Sequence, residues 1–222
     1  MKRFACVAAV CLVSTLGLGA ASAQAQATPT PTPSDSTMSV ELNFGPTLGH
    51  KSDKFFGVEA SLRLTDDLDV VIEAGHMGNV GTTDLDDRAA IIANYLGGTA
   101  ATAFKVNHGA AGLRYNFTLS PMLHPYVLGA LGVAQVKTDV EFSVNGTAID
   151  PATRNVQLGG DLSGTANKAI LVFGFGVHVP FKTRFFGDLG YRYGHILPKT
   201  DNFETDKAIP TQRVVLGVGV RF

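Results

Sequence analysis

The stretch RVVLGVGVRF, residues 213–222, decides the fold of this chain. Every second residue in it is apolar, and these are Val214, Leu216, Val218, Val220 and Phe222. The positions between them carry Arg213, Val215, Gly217, Gly219 and Arg221. Because successive side chains of a strand point to opposite faces, this period of two predicts a β-strand. Its second face, with arginines and bare glycines, is unusual for a sheet that packs on a soluble core.

The N-terminus predicts export from the cytoplasm. Lys2 and Arg3 precede an apolar run that ends in the small residues Ala21-Ser22-Ala23, the pattern of a secretory signal peptide over residues 1–23. A single membrane-anchoring helix is the alternative, but the run is short and breaks into small residues. Residues 24–36 alternate proline with threonine and predict a stiff, solvated linker. We therefore expect one domain over residues 37–222.

Composition narrows the classes of protein further. Both cysteines, Cys6 and Cys11, lie in the predicted signal peptide, so no disulfide is expected in the exported domain. The formal net charge is −1, which does not favour nucleic-acid binding. No stretch after the signal peptide reaches the roughly 18 apolar residues that a membrane helix needs. Any crossing of a membrane would have to be made by strands.

Alternating segments recur along the whole domain. Apolar and polar residues alternate in MSVELNFG and FFGVEASLRL, whereas PYVLGALGVAQV is apolar on both faces and leaves its register open. The pattern predicts strands over 37–46, 54–64, 68–78, 104–118, 125–138, 167–179, 184–195 and 210–222. Three connections are tight turns (TDD, SPMLHP and PFKT), and longer segments alternate with them, above all 79–103 and 139–166.

This sorting of short turns and long loops predicts an all-β fold: an eight-stranded antiparallel up-and-down transmembrane β-barrel. A soluble Greek-key sandwich has no reason to sort its loops in this way. The apolar face of each strand then faces lipid, and the mixed face lines a narrow interior in which glycines make room for arginine side chains. Aromatic residues near the tight turns predict an interfacial girdle made of Tyr115, Phe117, Tyr126, Phe185 and Phe222.

Several segments resemble a known family. HPYVLGALGVA, GDLGYRYGHI, AGLRYNF and VVLGVGVRF are similar to the small bacterial outer-membrane β-barrels of the OmpA/OmpX-like and opacity-protein-like type. The resemblance implies residence in the bacterial outer membrane, short periplasmic turns and long extracellular loops. It also implies that Phe222, with Val220 and Val218 before it, is the signal that the barrel-assembly machinery reads. It says little about activity, because the family includes adhesins, structural barrels and barrels of unknown role.

Charged residues on the predicted inner face suggest an ion-paired plug. Six of them lie well inside the rims: Glu59, Glu73, Arg114, Asp188, Arg192 and Arg213. Buried charges are costly unless they are paired. We expect Arg114 to pair with Glu73 or Glu59, and Asp188 to pair with Arg192 or Arg213. A gate or a proton path is the alternative use of these groups.

No catalytic, cofactor or metal site is predicted. On the predicted strands, no histidine has a serine two or three places away on the same face, as a lipid-cleaving barrel enzyme would require. Residues 84–98 predict a short helix on the rim or over the mouth, with an apolar stripe of Ala89, Ala90, Ile91, Ile92, Tyr95 and Leu96. The cluster of Asp84, Asp86 and Asp87 is interpreted as a solvated helix start and not as a cation site.

These patterns favour a non-enzymatic outer-membrane barrel with a structural or surface-interaction role. The expected partners are outer-membrane lipids, the barrel-assembly machinery and an unknown extracellular partner at the loops, with no nucleic acid and no second subunit. A narrow conduit for small or apolar molecules is the first alternative, and a lipid-modifying enzyme is the second. The interior of the barrel distinguishes the structural role from the conduit. An interior filled with side chains favours the structural or surface-interaction role, and a continuous water path favours the conduit.

Overall fold

The fold was analysed in a computed structural model that describes residues 37–120, 122–156, 164–198 and 207–222. The predicted signal peptide (1–23) and linker (24–36) lie outside the described residues. Nine strands, one α-helix and one short 3₁₀ turn occur in the described part of the chain. They are β1 (Met38–Leu48), β2 (Lys54–Arg63), β3 (Leu68–Met77), α1 (Thr83–Leu96), β4 (Thr99–Asn116), β5 (His124–Val144), β6 (Thr147–Ile149), the 3₁₀ turn (Pro151–Arg154), β7 (Gly164–Pro180), β8 (Phe185–Ile196) and β9 (Ile209–Arg221).

Eight of these strands close into an antiparallel barrel, which confirms the predicted fold class. Each barrel strand pairs with its neighbour in the chain, and β1 closes the ring on β9 through pairs such as Leu42 with Val218. Among the described residues, strand β6 pairs only with the end of β5 and forms a hairpin around the tight turn Asn145-Gly146, where both residues have positive φ. The loop between β1 and β2 is shorter than expected, because β1 runs on to Leu48.

Three of the barrel strands are much longer than a membrane crossing requires, and they extend on the side of the long loops. Strands β4, β5 and β7 contain 18, 21 and 17 residues, whereas β1, β2 and β3 contain 11, 10 and 10. A tilted strand crosses the hydrocarbon layer in about 9–11 residues. Part of β4, β5 and β7 therefore projects beyond the membrane-spanning wall, and the sequence-based strand boundaries missed most of this extension.

Inner and outer faces alternate along every strand, as the period of two predicts. On β9, Val218 and Leu216 are exposed on the outer face while Arg213 and Val215 are buried. Pairing with β4 and β7 settles the ambiguous register of β5, since Val127, Leu131 and Val133 are exposed and Leu128 is buried. No helix among the described residues is long and apolar enough to cross a membrane.

The expected aromatic girdle is right for four residues and wrong for one. Tyr115, Phe117, Phe185 and Phe222 are all exposed on the outer surface near the tight turns. Tyr126 is instead 1% exposed and points into the barrel. The cause is the register of β5, because Val127 and not Tyr126 occupies its outer face.

The outward-facing apolar side chains form a band around the barrel, which we call the apolar belt. The aromatic residues near the tight turns lie at one edge of this belt, and a row of polar side chains lies at the other edge. His76, Asn107, Gln135 and Asn167 face outward and pair directly with one another on the neighbouring strands β3, β4, β5 and β7. The His76 Nδ1 and Asn107 Oδ1 atoms lie 2.7 Å apart. Outward residues between this row and the tight turns are predominantly apolar, so the row is where polar surroundings begin on the long-loop side.

The projecting strand ends carry a folded cap that we call the long-loop platform, defined as α1, β6 and the projecting ends of β4 and β5. The predicted helix is present, but its buried stripe is Leu85, Ala89, Ala93 and Leu96. Ile91 and Tyr95, which were expected in the stripe, are 69% and 82% exposed. Ala93 and Leu96 pack with Phe142 of β5, which gives the platform a small apolar core of its own.

Candidate functional site

The barrel interior is filled with side chains, and its centre is a polar network around three arginines. Arg114, Arg192 and Arg213 come from β4, β8 and β9 and are 3%, 1% and 1% exposed. The structure also places Glu59, Glu73 and Asp188 on the inner face. All six residues proposed from the sequence thus lie in the lumen. They do so because each occupies the mixed face of a strand whose other face is apolar.

Arg114 on β4 binds one carboxylate from the adjacent strand β3 and one from β2, the strand beyond it. Its Nη1 donates to Glu59 Oε1 at 2.5 Å, and its Nη2 donates to Asp69 Oδ2 at 2.9 Å. The same Nη2 also donates to Ser61 Oγ at 3.0 Å. The pairing with Glu59 is one of the two partners expected from the sequence, whereas Asp69 sits nearer the tight-turn rim.

Arg192 reaches across the lumen. Its Nη2 donates to Glu59 Oε2 at 3.3 Å, although β8 and β2 are not adjacent in the barrel wall. Its Nη1 donates to the Tyr126 hydroxyl at 2.9 Å, and that hydroxyl donates to Asp188 Oδ2 at 2.8 Å. Glu59 therefore joins Arg114 to Arg192, and opposite walls of the barrel are connected through one carboxylate.

The expected pairing of Asp188 with Arg192 or Arg213 is wrong. Asp188 and Arg192 lie four residues apart on one strand, and Tyr126 bridges them where a direct ion pair was expected. Arg213 donates instead to Glu73 Oε1 at 2.8 Å and stacks over the Phe55 ring at 4.6 Å. The partners differ because the stagger of the closed barrel, which the sequence does not show, decides which rows of inner residues share one level.

Glycines on the inner face create the space for this network. A Cβ atom at Gly174 would lie 2.5 Å from Arg192 Cδ, so the expected glycine–arginine contact occurs there. The glycines of β9 accommodate other groups. A Cβ at Gly217 would lie 2.0 Å from Glu41 Oε1, and one at Gly219 would lie 2.2 Å from the Phe186 ring. Each of these glycines is thus required for close packing of a larger side chain from an adjacent strand.

A second group of polar side chains lies between this network and the tight-turn rim. His178 Nε2 lies 3.8 Å from Glu41 Oε2 and 3.7 Å from Asp188 Oδ1. Of the described residues, this trio is the one set of histidine and acidic side chains that could hold a metal ion. A cavity of about 170 Å³, lined by His178, Arg114 and Arg221 among others, opens at the rim beside it.

Sequence reasoning missed several members of the interior. Tyr126 was expected in the aromatic girdle on the outer surface, and no role was proposed from the sequence for His178 or Glu41. His108, which contacts Glu73 Oε1 at 3.2 Å, was likewise not linked to the network. The sequence feature that could have identified His178, Glu41 and His108 as interior residues was their position on the mixed face of a predicted strand. No local pattern could show which inner residues of distant strands meet.

On the long-loop side, Asp86 ties α1 to the barrel rim. Its carboxylate binds Lys51 Nζ at 2.7 Å and His50 Nε2 at 2.9 Å, and it also accepts a hydrogen bond from the Thr102 hydroxyl. Partial burial acts to raise the pKa of Asp86, but these hydrogen bonds and the Lys51 charge outweigh it and lower the pKa. Nearby, Lys207 lies 2.7 Å from Asp84 and lowers the pKa of that exposed carboxyl. The acidic cluster thus lies at the start of α1, as interpreted from the sequence, and Asp86 has the additional structural role of attaching the helix to the rim.

The histidines do not form a serine–histidine pair on any described strand. His195 shares the outer face of β8 with Tyr193, and the two rings stack 6.4 Å apart. The histidine with a serine two residues on is His50, in the loop before β2, and its imidazole contacts Asp86. Phe222, with Val220 and Val218 before it, lies on the lipid face, and its N–H donates to the Met38 carbonyl at 2.8 Å.

Comparison with known proteins supports the fold and its location. The family described as "Outer membrane protein beta-barrel domain" matches residues 12–222. The structure is similar to Neisserial surface protein A, with a TM-score of 0.51 and 18% identity over 83% of this chain and 96% of that one. It is also similar to Ail, the attachment invasion locus protein of Yersinia pestis, with a TM-score of 0.45 and 18% identity over 84% and 97%. No curated protein gives a significant match.

Proposed function

Since the chain belongs to the outer membrane protein β-barrel domain family and resides in the bacterial outer membrane, we propose that it is a non-enzymatic barrel that presents the long-loop platform to the cell exterior. The observation that carries the proposal is the contrast between the two parts of the molecule. The interior is filled and cross-linked, whereas the projecting strands end in a folded surface with a helix and a hairpin.

The filled interior supports a structural role over a conduit. Arg192, Arg213, Tyr126 and Phe186 are almost completely buried inside the barrel. Glu59 holds Arg114 and Arg192 from different sides, so opening a path would break ion pairs that are costly to separate in a buried site. The cavity at the tight-turn rim is a local recess beside this plug.

The long-loop platform supports a role in surface contacts. A loop without function would be expected to be short, because ordering extra residues costs conformational entropy. Here α1 is ordered by its own apolar stripe and by Asp86, and it leaves Ile91 and Tyr95 exposed four residues apart. We propose that the long-loop platform contacts an extracellular partner. Outer-membrane lipids contact the apolar belt, and the barrel-assembly machinery contacts it during insertion. The barrel acts as a monomer and binds no nucleic acid.

Conductance in planar bilayers tests the central part of the proposal. The wild-type barrel should give no stable single-channel current. A matched variant that carries Glu59→Ala and Arg192→Ala should become leaky, because both central links across the lumen are lost. Stable conductance by the wild-type barrel would favour the conduit. Mass spectrometry of envelope lipids from cells with and without the protein tests for enzymatic activity, and any protein-dependent change in lipid structure would contradict the proposal.

A further inference from the structure

The ion pairs at the centre of the barrel leave two buried carboxylates without an arginine partner. Among the described residues, three arginines (Arg114, Arg192 and Arg213) form ion pairs with three carboxylates (Glu59, Asp69 and Glu73). This leaves Glu41 and Asp188, which are 2% and 5% exposed, and whose one ion-pair neighbour is His178. Two buried carboxylates without a cation are energetically expensive. The trio thus has the charge of a site for a divalent cation.

The polar atoms of this trio also lack hydrogen-bond partners. Glu41 Oε1, His178 Nε2 and Asp188 Oδ1 are buried and bind no other protein atom, and the same holds for Asn43 Oδ1 beside them. These are four of the eight buried side-chain nitrogen and oxygen atoms without a hydrogen-bond partner among the described residues, and buried polar groups are nearly always satisfied. All four can offer a lone pair, whereas no described donor serves them. Such a set matches the coordination shell of a metal ion better than it matches hydrogen bonding among the groups themselves.

We infer that Glu41, His178 and Asp188 bind one divalent transition-metal ion of the zinc type inside the barrel. A tetrahedral zinc site with bonds of about 2.0–2.1 Å separates its ligand atoms by roughly 3.4 Å. The histidine nitrogen lies 3.8 Å from Glu41 Oε2 and 3.7 Å from Asp188 Oδ1, and one ligand atom of each residue lies within 4.8 Å of the others, so movement of the two carboxylates toward a shared ion completes the site. An imidazole ligand disfavours Ca²⁺ and Mg²⁺, which prefer oxygen ligands, and favours Zn²⁺.

The surroundings supply the other features that a metal site needs. Tyr126 donates to Asp188 Oδ2 and so orients the carboxylate with Oδ1 free for the ion. Gly217 leaves space for Glu41, because a side chain there would collide with Glu41 Oε1 and Asn43 Oδ1. The rim cavity is lined by His178, so an ion that enters from the tight-turn rim reaches the histidine directly. The charges of Arg114 and Arg192 are matched by Glu59, Asp69 and Glu73, and the guanidinium of Arg221 at the rim lies over the Phe186 ring.

Zinc binding by the full chain folded in detergent tests the inference. Equilibrium dialysis with Zn²⁺ followed by metal analysis should find one ion per barrel. His178→Gln should weaken binding by at least about 100-fold, beyond the 10–100-fold typical of losing an outer partner. His108→Gln is the matched control, because His108 is equally buried in the lumen but contacts Glu73, and it should leave zinc binding unchanged.

A second measurement does not depend on any variant folding correctly. Co²⁺ in place of Zn²⁺ should give the intense visible absorption of a tetrahedral site in the wild-type barrel, and Zn²⁺ should abolish it. Absence of bound Zn²⁺ and of this spectrum would overturn the inference. It would also be overturned if His178→Gln bound zinc normally, or if Mg²⁺ and Ca²⁺ competed equally, since oxygen-preferring ions would not need the histidine.

Discussion

Tyr126 on β5 donates its hydroxyl hydrogen to Asp188 on β8 at 2.8 Å, across the intervening strand β7. The ring passes over Gly176, where a Cβ atom would lie 2.5 Å from the hydroxyl oxygen. The same hydroxyl accepts a hydrogen bond from Arg192. One phenol therefore orients a buried carboxylate and a buried guanidinium that share a strand but do not form a direct ion pair.

Replacing Tyr126 with phenylalanine should destabilise the barrel by about 1–3 kcal/mol, because Asp188 and Arg192 each lose a buried hydrogen-bond partner. Urea unfolding of the detergent-folded barrel measures this. Tyr191→Phe is the matched control, since Tyr191 lies on the outer face and its hydroxyl contacts Gln212. Its effect should be markedly smaller, and equal effects of the two substitutions would contradict the role assigned to Tyr126.

A double-mutant cycle on Arg114 and Glu59 should reveal strong coupling. Arg114→Met alone should cost about 3–5 kcal/mol, because it leaves buried carboxylates unpaired, while the double variant with Glu59→Gln should cost less than the sum of its parts. The cycle of Arg114 with Glu73 provides the comparison. Glu73 binds Arg213, so this second cycle should be close to additive. Coupling in the second cycle and none in the first would refute the observed pairing.

Attachment of α1 to the rim should weaken in acid. The pKa of Asp86 is lowered from its ordinary value of 3.8, so its contribution to stability is present above that value and is lost as the pH falls through the lowered pKa. Below about pH 4, the protection factors of the α1 amides, which correct for the intrinsic pH dependence of exchange, should therefore fall. Asp86→Asn should remove this pH dependence and accelerate exchange at neutral pH. Asp87→Asn, on an exposed neighbour, should do neither.

Orientation in the membrane can be tested by labelling intact cells. An introduced cysteine at Gly146, in the tight turn of the β5–β6 hairpin, should react with an impermeant thiol reagent. A cysteine at Asp66, in the turn between β2 and β3, should react after the outer membrane is permeabilised and not before. The exported domain has no other cysteine if residues 1–23 are removed. The reverse pattern of labelling would invert the proposed orientation of the long-loop platform.

Removing Phe222 should slow assembly more than it destabilises the folded barrel. The side chain is 62% exposed on the lipid face, so little packing is lost with it. The resemblance of the terminal stretch to an assembly signal predicts delayed insertion, which pulse-chase labelling and heat-modifiable gel mobility can follow. Phe185→Ala, which removes a similarly exposed aromatic residue near the same rim, should leave the assembly rate nearly normal. Normal insertion of the truncated chain would exclude the signal role.

The sequence correctly predicted which residues lie on the outer face and which on the inner face of a strand wherever one face was clearly apolar. On β9, the alternation of Val218 and Val220 with glycine and arginine was sufficient, because a strand in contact with lipid must expose apolar groups and keep charges on its other face. On β5, both faces are apolar, and the sequence could not assign Tyr126. Pairing with β4 and β7 decided that register.

By itself, then, the sequence determined the barrel and its inner-face residues on the strands with one clearly apolar face, because the period of two is a local property of each strand. It could not determine partners within the interior. Glu73 binds Arg213, Asp188 binds Tyr126, and Glu41 meets His178, all between strands far apart in the chain. Only closure of the barrel, with its particular stagger, brings those side chains to one level, and that stagger results from all of the strand pairings together.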